Sequence, residues 1–281
     1  MATASAETVK TLRERTGAGM MDCKAALEAS GGDMEGAIDF LRKKGLSQAA
    51  KRALREAKEG LVTAQVRGDK AVMVEANCET DFVARTDDFK NLAALALEEV
   101  FSHGESAVSS EKVTHRLAEL TGRIGEKILV RRARSLQSKD GGFFAYIHSN
   151  SRLGVIVEVS VSRAESKKNV VLEELGKNLA MQVAASNPLC VTRGEVPAAV
   201  LQREKDIFRE EVKGKPDNIV EKIIQGKLDK FYKAHCLLEQ PFIKDDTLSV
   251  QQLIDQTAKK LGDSIQVKQF IRFQLGEAFA A

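Results

Sequence analysis

Four cysteines and four histidines are the residues of this 281-residue chain best suited to covalent or metal chemistry, and their spacing supports neither. Cys23, Cys78, Cys190 and Cys236 stand singly, with no CxxC pair and no histidine at zinc-ligand spacing, so reduced, packing thiols are expected. His103, His115, His148 and His235 form no HExxH, and no serine sits in a GxSxG elbow. Gly226-Lys227-Leu228 lacks the upstream glycine and the Ser/Thr of a phosphate-binding loop. No catalytic residue, metal or cofactor is therefore expected, and any nucleotide would be held by a partner. What stands out instead is Asn77-Cys78-Glu79-Thr80-Asp81-Phe82-Val83-Ala84-Arg85, between a strand pattern and a helix pattern. Thr80 or Asp81 suits an N-cap. Phe82 has two readings: a staple turned inward against the following helix, or a rigid aromatic presented beside a carboxylate as an anchor for a partner.

The elements that position this segment follow from periodicity. Over 5–46 the pattern predicts three short helices: Val9 and Leu12 edge the first, Thr16-Gly17-Ala18-Gly19 breaks it, and Cys23, Ala26 and Leu27 line the second. Met34, Ala37, Ile38 and Leu41 recur at i, i+3, i+4 and i+7 in the third. The stretch 42–60 carries seven basic and two acidic residues and reads as a linker helix, either a solvated connection or a basic patch. After Gly60 the period alternates, predicting a hairpin, Leu61–Val66 and Val72–Ala76. Helices carrying Phe89, Leu92, Ala93, Ala96 and Val100, then Val113, Leu117, Leu120 and Ile124, lead to a strand from Ile128. The pattern then repeats. AYIH (145–148) echoes AQVR (64–67), VIVEV (155–159) echoes VMVEA (72–76), and Ile265–Lys268 echoes Ile128–Arg131, each of the last pair after a Gly-acid dipeptide.

An α+β fold with two related subdomains, each a small antiparallel sheet with helices on one face, is the expectation. The boundaries expected are a three-helix module at 1–55, a first core subdomain at 56–140, a second at 141–188 and 238–281, and an inserted antiparallel helical hairpin at 189–237. In that hairpin Val200/Ile207 and Leu201/Phe208 fall seven apart, Gly214-Lys215-Pro216 breaks the first arm, and Ile219 to Phe231 stripe the second. It either packs against another chain, giving a homodimer through 197–236, or folds back on its own core. A hydrophobic share of 43% with 30% charged residues fits a globular chain, no apolar run approaches the roughly 20 residues of a bilayer span, and the N-terminus lacks a secretory core. A cytoplasmic location is expected, with a faint organellar-targeting reading left open by the N-terminal Arg and Ser. A net charge of +3 does not announce a nucleic-acid binder.

The runs LRERTGAGMMDCKAALEASGGDMEGAIDFLRKKG (12–45) and EANCETDFVA (75–84) strongly resemble the elongation factor Ts family of bacteria, nucleotide-exchange factors of the GTPase elongation factor Tu. The resemblance continues through IGEKILVRRA (124–133), AMQVAASNP (180–188), the insertion, EQPFIKD (239–245) and FIRFQLGE (270–277), nearly the whole chain. It implies an N-terminal module similar to ubiquitin-associated domains, a two-part core and a coiled-coil hairpin that dimerises some relatives. It further implies that Thr80, Asp81, Phe82 and Val83 match the segment pushed into elongation factor Tu near its magnesium and nucleotide, promoting GDP release so that GTP can rebind. By the same implication Leu12, Arg13, Met20 and Met21 match positions that contact the GTPase domain, Leu12 also serving the module's own core, and His148 matches a histidine touching another domain. The partner is then elongation factor Tu, with no direct nucleotide, membrane or nucleic-acid contact and no bond-making chemistry. Relatives often add a C-terminal helix on the GTPase, which the ending FIRFQLGEAFAA does not match. The rival classes are a basic RNA-binding protein using 42–58 and an adaptor of the ubiquitin-associated type.

Overall fold

Apolar residues at helical spacing build the first three elements of the structure, a computed structural model that describes residues 5–52, 54–212 and 216–278. Helices α1 (Ala6–Thr16), α2 (Met20–Ala29) and α3 (Met34–Arg52) bury Val9, Leu12, Cys23, Ala26, Leu27 and Ala37 together. Ser5 caps α1 through its side chain, and Gly17 ends it in the left-handed region at φ 66°. The expected linker helix is no separate element: α3 runs on through its first half, to Arg52. The side chains of Lys51 and Arg52 in that basic stretch, and Gly214 and Lys215 of the expected hairpin break, lie outside the described residues.

The chain divides into two compact units: Met1–Thr63 with Val72–Ser135 and Gln274–Ala281, and Ala64–Ala71 with Leu136–Phe273. Strands β1 (Glu59–Arg67), β2 (Lys70–Cys78) and β3 (Leu129–Gln137), most of whose residues fall in the first unit, form a sheet in the order β1-β2-β3. Helices α4 (Asp81–Ala84), α5 (Asp87–His103) and α6 (Glu111–Ile124) join the hairpin to its third strand. Ala76 and Cys78 of β2 meet Phe89 and Leu92 of α5 and Leu120 of α6 in one core cluster. Helix α3 packs on α6 where two glycines meet: a Cβ on Gly45 would stand 2.7 Å from the carbonyl oxygen of Ala118, and one on Gly122 would stand 3.3 Å from the Cα of Gly45. Small residues there let the module approach the core at backbone distance.

The second unit holds β4 (Gly141–Ile147), β5 (Leu153–Val161), α7 (Val170–Ser186), α8 (Ala198–Glu211), α9 (Asp217–His235), β6 (Pro241–Phe242), β7 (Asp245–Ser249), α10 (Val250–Leu261) and β8 (Ile265–Gln274). Its larger sheet has the order β4-β5-β8, with β4 and β5 antiparallel from Gly141↔Ser160 to Ile147↔Gly154. Val155, Val157 and Val159 of β5 pack against Leu172, Leu175, Leu179 and Val183 of α7 and Ile254 of α10. The α+β class is as expected, and each sheet has the hairpin-plus-third-strand plan that the internal echo predicts. The β6–β7 pair was not foreseen, because two residues of strand leave no periodicity to read. Arms α8 and α9 of 14 and 19 residues pack on each other, near about 21 and 28 Å at 1.5 Å per residue.

The Gly-acid dipeptides before β3 and β8 end helices in the same way. Gly125 (φ 84°) follows α6 and Gly262 (φ 65°) follows α10, left-handed conformations that glycine adopts without strain. Asp263, its side chain 2% exposed, then accepts from the N–H groups of Ser162 (3.2 Å), Arg163 (3.0 Å) and Ser264 (2.7 Å). The Ser166 hydroxyl, with these N–H groups, holds its carboxyl below the usual carboxylate range. A carboxyl so depressed contributes stability that is complete above the unfolded value of about 3.9 and is lost as pH falls through the folded one. Asp263→Asn is therefore expected to lower the urea midpoint near pH 7, and to lower it less as the pH is taken down toward 2. Equal losses at the two pH values would contradict this.

Candidate functional site

Strand β2 ends at Cys78, and two threonines organise the turns beyond it. Thr80, extended at φ −122° and ψ 153°, is the N-cap of α4: its Oγ1 accepts from the Val83 N–H at 3.4 Å. Thr86 repeats the device for α5, donating its hydroxyl to the Val83 carbonyl (2.8 Å) and accepting from the Phe89 N–H (3.3 Å). One helical turn between two caps can turn only one face inward. Val83 takes it, 7% exposed in the cluster with Phe89, Leu92, Leu120 and Ile128. Phe82 lies about 100° away around the turn and is 78% exposed. The inward-staple reading of Phe82 is thereby overturned, since Val83 and Phe89 already fill that interior. Asp81 occupies the first helical position and pairs with Arg85 at 2.7 Å, a surface contact worth about 0.2–1 kcal/mol.

The base of this finger is fixed from a distance in sequence. Glu126, just beyond Gly125, accepts from both the Thr80 N–H (3.0 Å) and the Thr80 hydroxyl (2.7 Å). Reciprocally Glu79 accepts from the Lys127 N–H at 2.6 Å, and also from Arg55 at 3.3 Å. The Cys78 thiol donates to the Thr80 carbonyl at 3.1 Å. Sequence reading assigned no role to Glu79 or Glu126; the one available signal was the Gly-acid dipeptide before the third strand of each repeat.

The remaining predicted residues divide by exposure. Leu12 is fully buried in the three-helix core, so it shapes the module and offers no surface. Arg13 is exposed, as are Met20 (59%) and Met21 (73%), adjacent at the start of α2. Two exposed methionines make an adaptable apolar surface. In the second unit His148 is exposed just past β4, its Nδ1 2.9 Å from the Tyr146 hydroxyl. When that hydroxyl donates, Nε2 carries the ring N–H outward. The basic stretch is partly neutralised: Lys44 pairs with Asp22 (2.8 Å), Arg55 with Glu79 (3.3 Å) and Lys58 with Glu56 (2.7 Å). Among the described residues no group of three or more His, Cys, Asp and Glu is placed to hold a metal ion, and no helix is long and apolar enough to cross a membrane.

Comparison with known proteins matches the family "Elongation factor TS" over residues 79–277. The "Elongation factor Ts" of Prosthecochloris aestuarii is 47% identical over 293 aligned positions, covering 98% of this chain and 100% of the relative. That of Nitratidesulfovibrio vulgaris is 44% identical over 282 positions, covering 99% and 97%. That of Chlorobium phaeobacteroides is 44% identical over 292 positions, covering 98% and 100%.

The finger stands on an inert thiol. Burial first, then the carboxylates of Glu126 and Glu59, push Cys78 up to about 12, and burial likewise raises Cys23, Cys236 and Cys190, the last to about 12. At a thiol pKa near 12 only about one molecule in 10⁴ is thiolate at about pH 8. Ellman's reagent near pH 8 is therefore expected to titrate none of the four cysteines of the folded chain within minutes and all four in urea. Rapid native labelling of Cys78 would contradict this burial.

Proposed function

The chain belongs to the elongation factor Ts family, and on that premise we propose that it binds elongation factor Tu with GDP and speeds GDP release by inserting Asp81 and Phe82 beside the magnesium and nucleotide, so that GTP can rebind. The observation that carries this reading is Phe82 at 78% exposure on a hydrogen-bonded base. An isolated exposed aromatic forfeits about 1.5–3 kcal/mol of burial, which a partner's pocket restores.

The physical demand is a coupling. A GTPase holds the phosphates of GDP through Mg²⁺ and backbone N–H groups. A wedge that displaces those groups weakens GDP without entering its pocket. A thousandfold faster release needs about 4 kcal/mol, more than one inserted phenylalanine supplies. The rest comes from the wider interface, to which Arg13, Met20 and Met21 on the three-helix module and His148 on the second unit contribute; Thr80 and Val83 hold the wedge, and Leu12 holds the module. Reciprocity requires bound GDP to loosen this protein by the same factor, so it leaves when nucleotide returns. No covalent bond changes, and the protein is an exchange factor with no chemical step of its own.

A homodimer through 197–236 belongs to the same proposal. Ile207 and Ile219 of the helical hairpin are 42% and 45% exposed, while Ile224 and Leu228 of its second arm are buried. Analytical ultracentrifugation is expected to give a dimer for the full chain and a monomer without 197–236; a monomer in both defeats the dimer.

Release of labelled GDP from purified elongation factor Tu tests the function. The full chain should accelerate it strongly, and Phe82→Ala should slow the saturating rate by about 10- to 100-fold. No acceleration by the full chain, with steeply salt-dependent binding to RNA instead, would favour the basic-patch reading.

A further inference from the structure

The two halves of the internal repeat share a hydrogen bond that the family resemblance does not mention. Thr80 N–H donates to Glu126 at 3.0 Å; at the corresponding place in the second copy, Arg163 N–H donates to Asp263 at 3.0 Å. Both acids follow a left-handed glycine and stand just before the third strand of their sheets. Both N–H groups lie two residues past the end of the second strand. The copies differ in what they carry. The register that pairs Thr80 with Arg163 pairs exposed Phe82 with exposed Glu165, and buried Val83 with buried Ser166. They also differ in where the hydroxyl comes from: Glu126 accepts that of Thr80, whose oxygen in turn accepts from Val83 N–H, whereas Asp263 accepts that of Ser166. An arginine at 163 has no such hydroxyl to offer.

We infer that Glu126 is a positioning residue for exchange: through Thr80 it fixes the first turn of α4 against the loop before β3, so that Phe82 pushes on the partner instead of yielding to it. The inference rests on the proposed function. A wedge transmits force only as far as its base resists. A finger freed from Glu126 still reaches the partner, but the binding energy relaxes the finger and less of it reaches the nucleotide. The deficit then falls on the rate at saturation and leaves the concentration for half-saturation alone. Asp263, which makes the matching bond beneath an exposed glutamate, serves the fold by the same chemistry without a wedge to hold, and supplies a matched control.

The experiment compares Glu126→Ala and Glu126→Gln with Asp263→Ala and Asp263→Asn, measuring labelled-GDP release from elongation factor Tu across a concentration series. Glu126→Ala should lower the saturating rate at least fivefold and leave the half-saturating concentration within twofold. Glu126→Gln, which keeps one acceptor and is the safer substitution for folding, should fall between it and the unaltered chain. The Asp263 variants should keep the saturating rate within twofold while losing thermal stability. Combined with Phe82→Ala, Glu126→Ala should add less than twofold. In the free protein, amide hydrogen exchange over 79–84 should quicken in Glu126→Ala alone. A full saturating rate in Glu126→Ala, or unchanged amide exchange over 79–84, overturns the inference. So does an equal loss of rate in the Asp263 variants. Failure of the unaltered chain to accelerate release would instead overturn the proposed function.

Discussion

Two backbone N–H groups, those of Thr80 and Lys127, each end on a carboxylate next to the other, Glu126 and Glu79, and the direction of Phe82 depends on that exchange. Hydrogen bonds from N–H to carboxylate are charge-assisted and roughly twice as strong as neutral ones, so they resist the pull of an exposed aromatic ring towards the core. The core offers no room in any case. Val83, Phe89, Leu92 and Leu120 close it, and a one-turn helix that buries Val83 must turn Phe82 to solvent. Exposure of the ring follows from packing and capping together, with no strained backbone in the turn: Thr80 is extended and Arg85 is helical.

The same economy organises the rest of the chain. Each repeat packs apolar residues of one sheet face against helices, and each uses a glycine in the left-handed region followed by an acid to turn from helix to third strand. One copy of this scaffold ends in an acidic-aromatic fingertip and the other in charge. On the proposed function, the fingertip supplies the wedge and the scaffold supplies the stiffness. On the same proposal, the methionines of α2 and the histidine past β4 supply footprint.

Much of this was legible in the sequence, because helix and strand periods depend on local spacing. The stripes of α1 to α3, α5, α6 and α7 and both hairpins follow from apolar positions that the structure buries. The repeat was legible too, since duplicated strands keep duplicated patterns. What spacing cannot give is the side of a single residue. Phe82 sits one position before Val83 and seven before Phe89, and either aromatic could have filled the core until the second cap at Thr86 set the turn. Partners 46 to 57 residues apart were likewise out of reach. The Thr80–Glu126 bond is one such case. Another is fully buried Glu75, which takes Arg131 (3.1 Å) and Arg132 (2.6 Å), and beyond that range the Gly276 N–H, 201 residues away (2.9 Å). A strand glutamate reads as solvent-facing until its cations are seen. The exposure of Met20 and Met21 and the burial of Leu12 depend on how three helices pack, which their separate stripes only partly determine.

The central claim of the proposal is that the ring at position 82 inserts beside a partner's magnesium and nucleotide, without entering the nucleotide pocket. A photo-reactive benzoyl-phenylalanine in place of Phe82, irradiated with elongation factor Tu and analysed by mass spectrometry, tests it most directly. The account predicts an adduct on segments bordering the GTPase's magnesium and phosphate pocket, with a yield that falls as GDP is added. Adducts scattered over unrelated surfaces, or a yield indifferent to GDP, would contradict it.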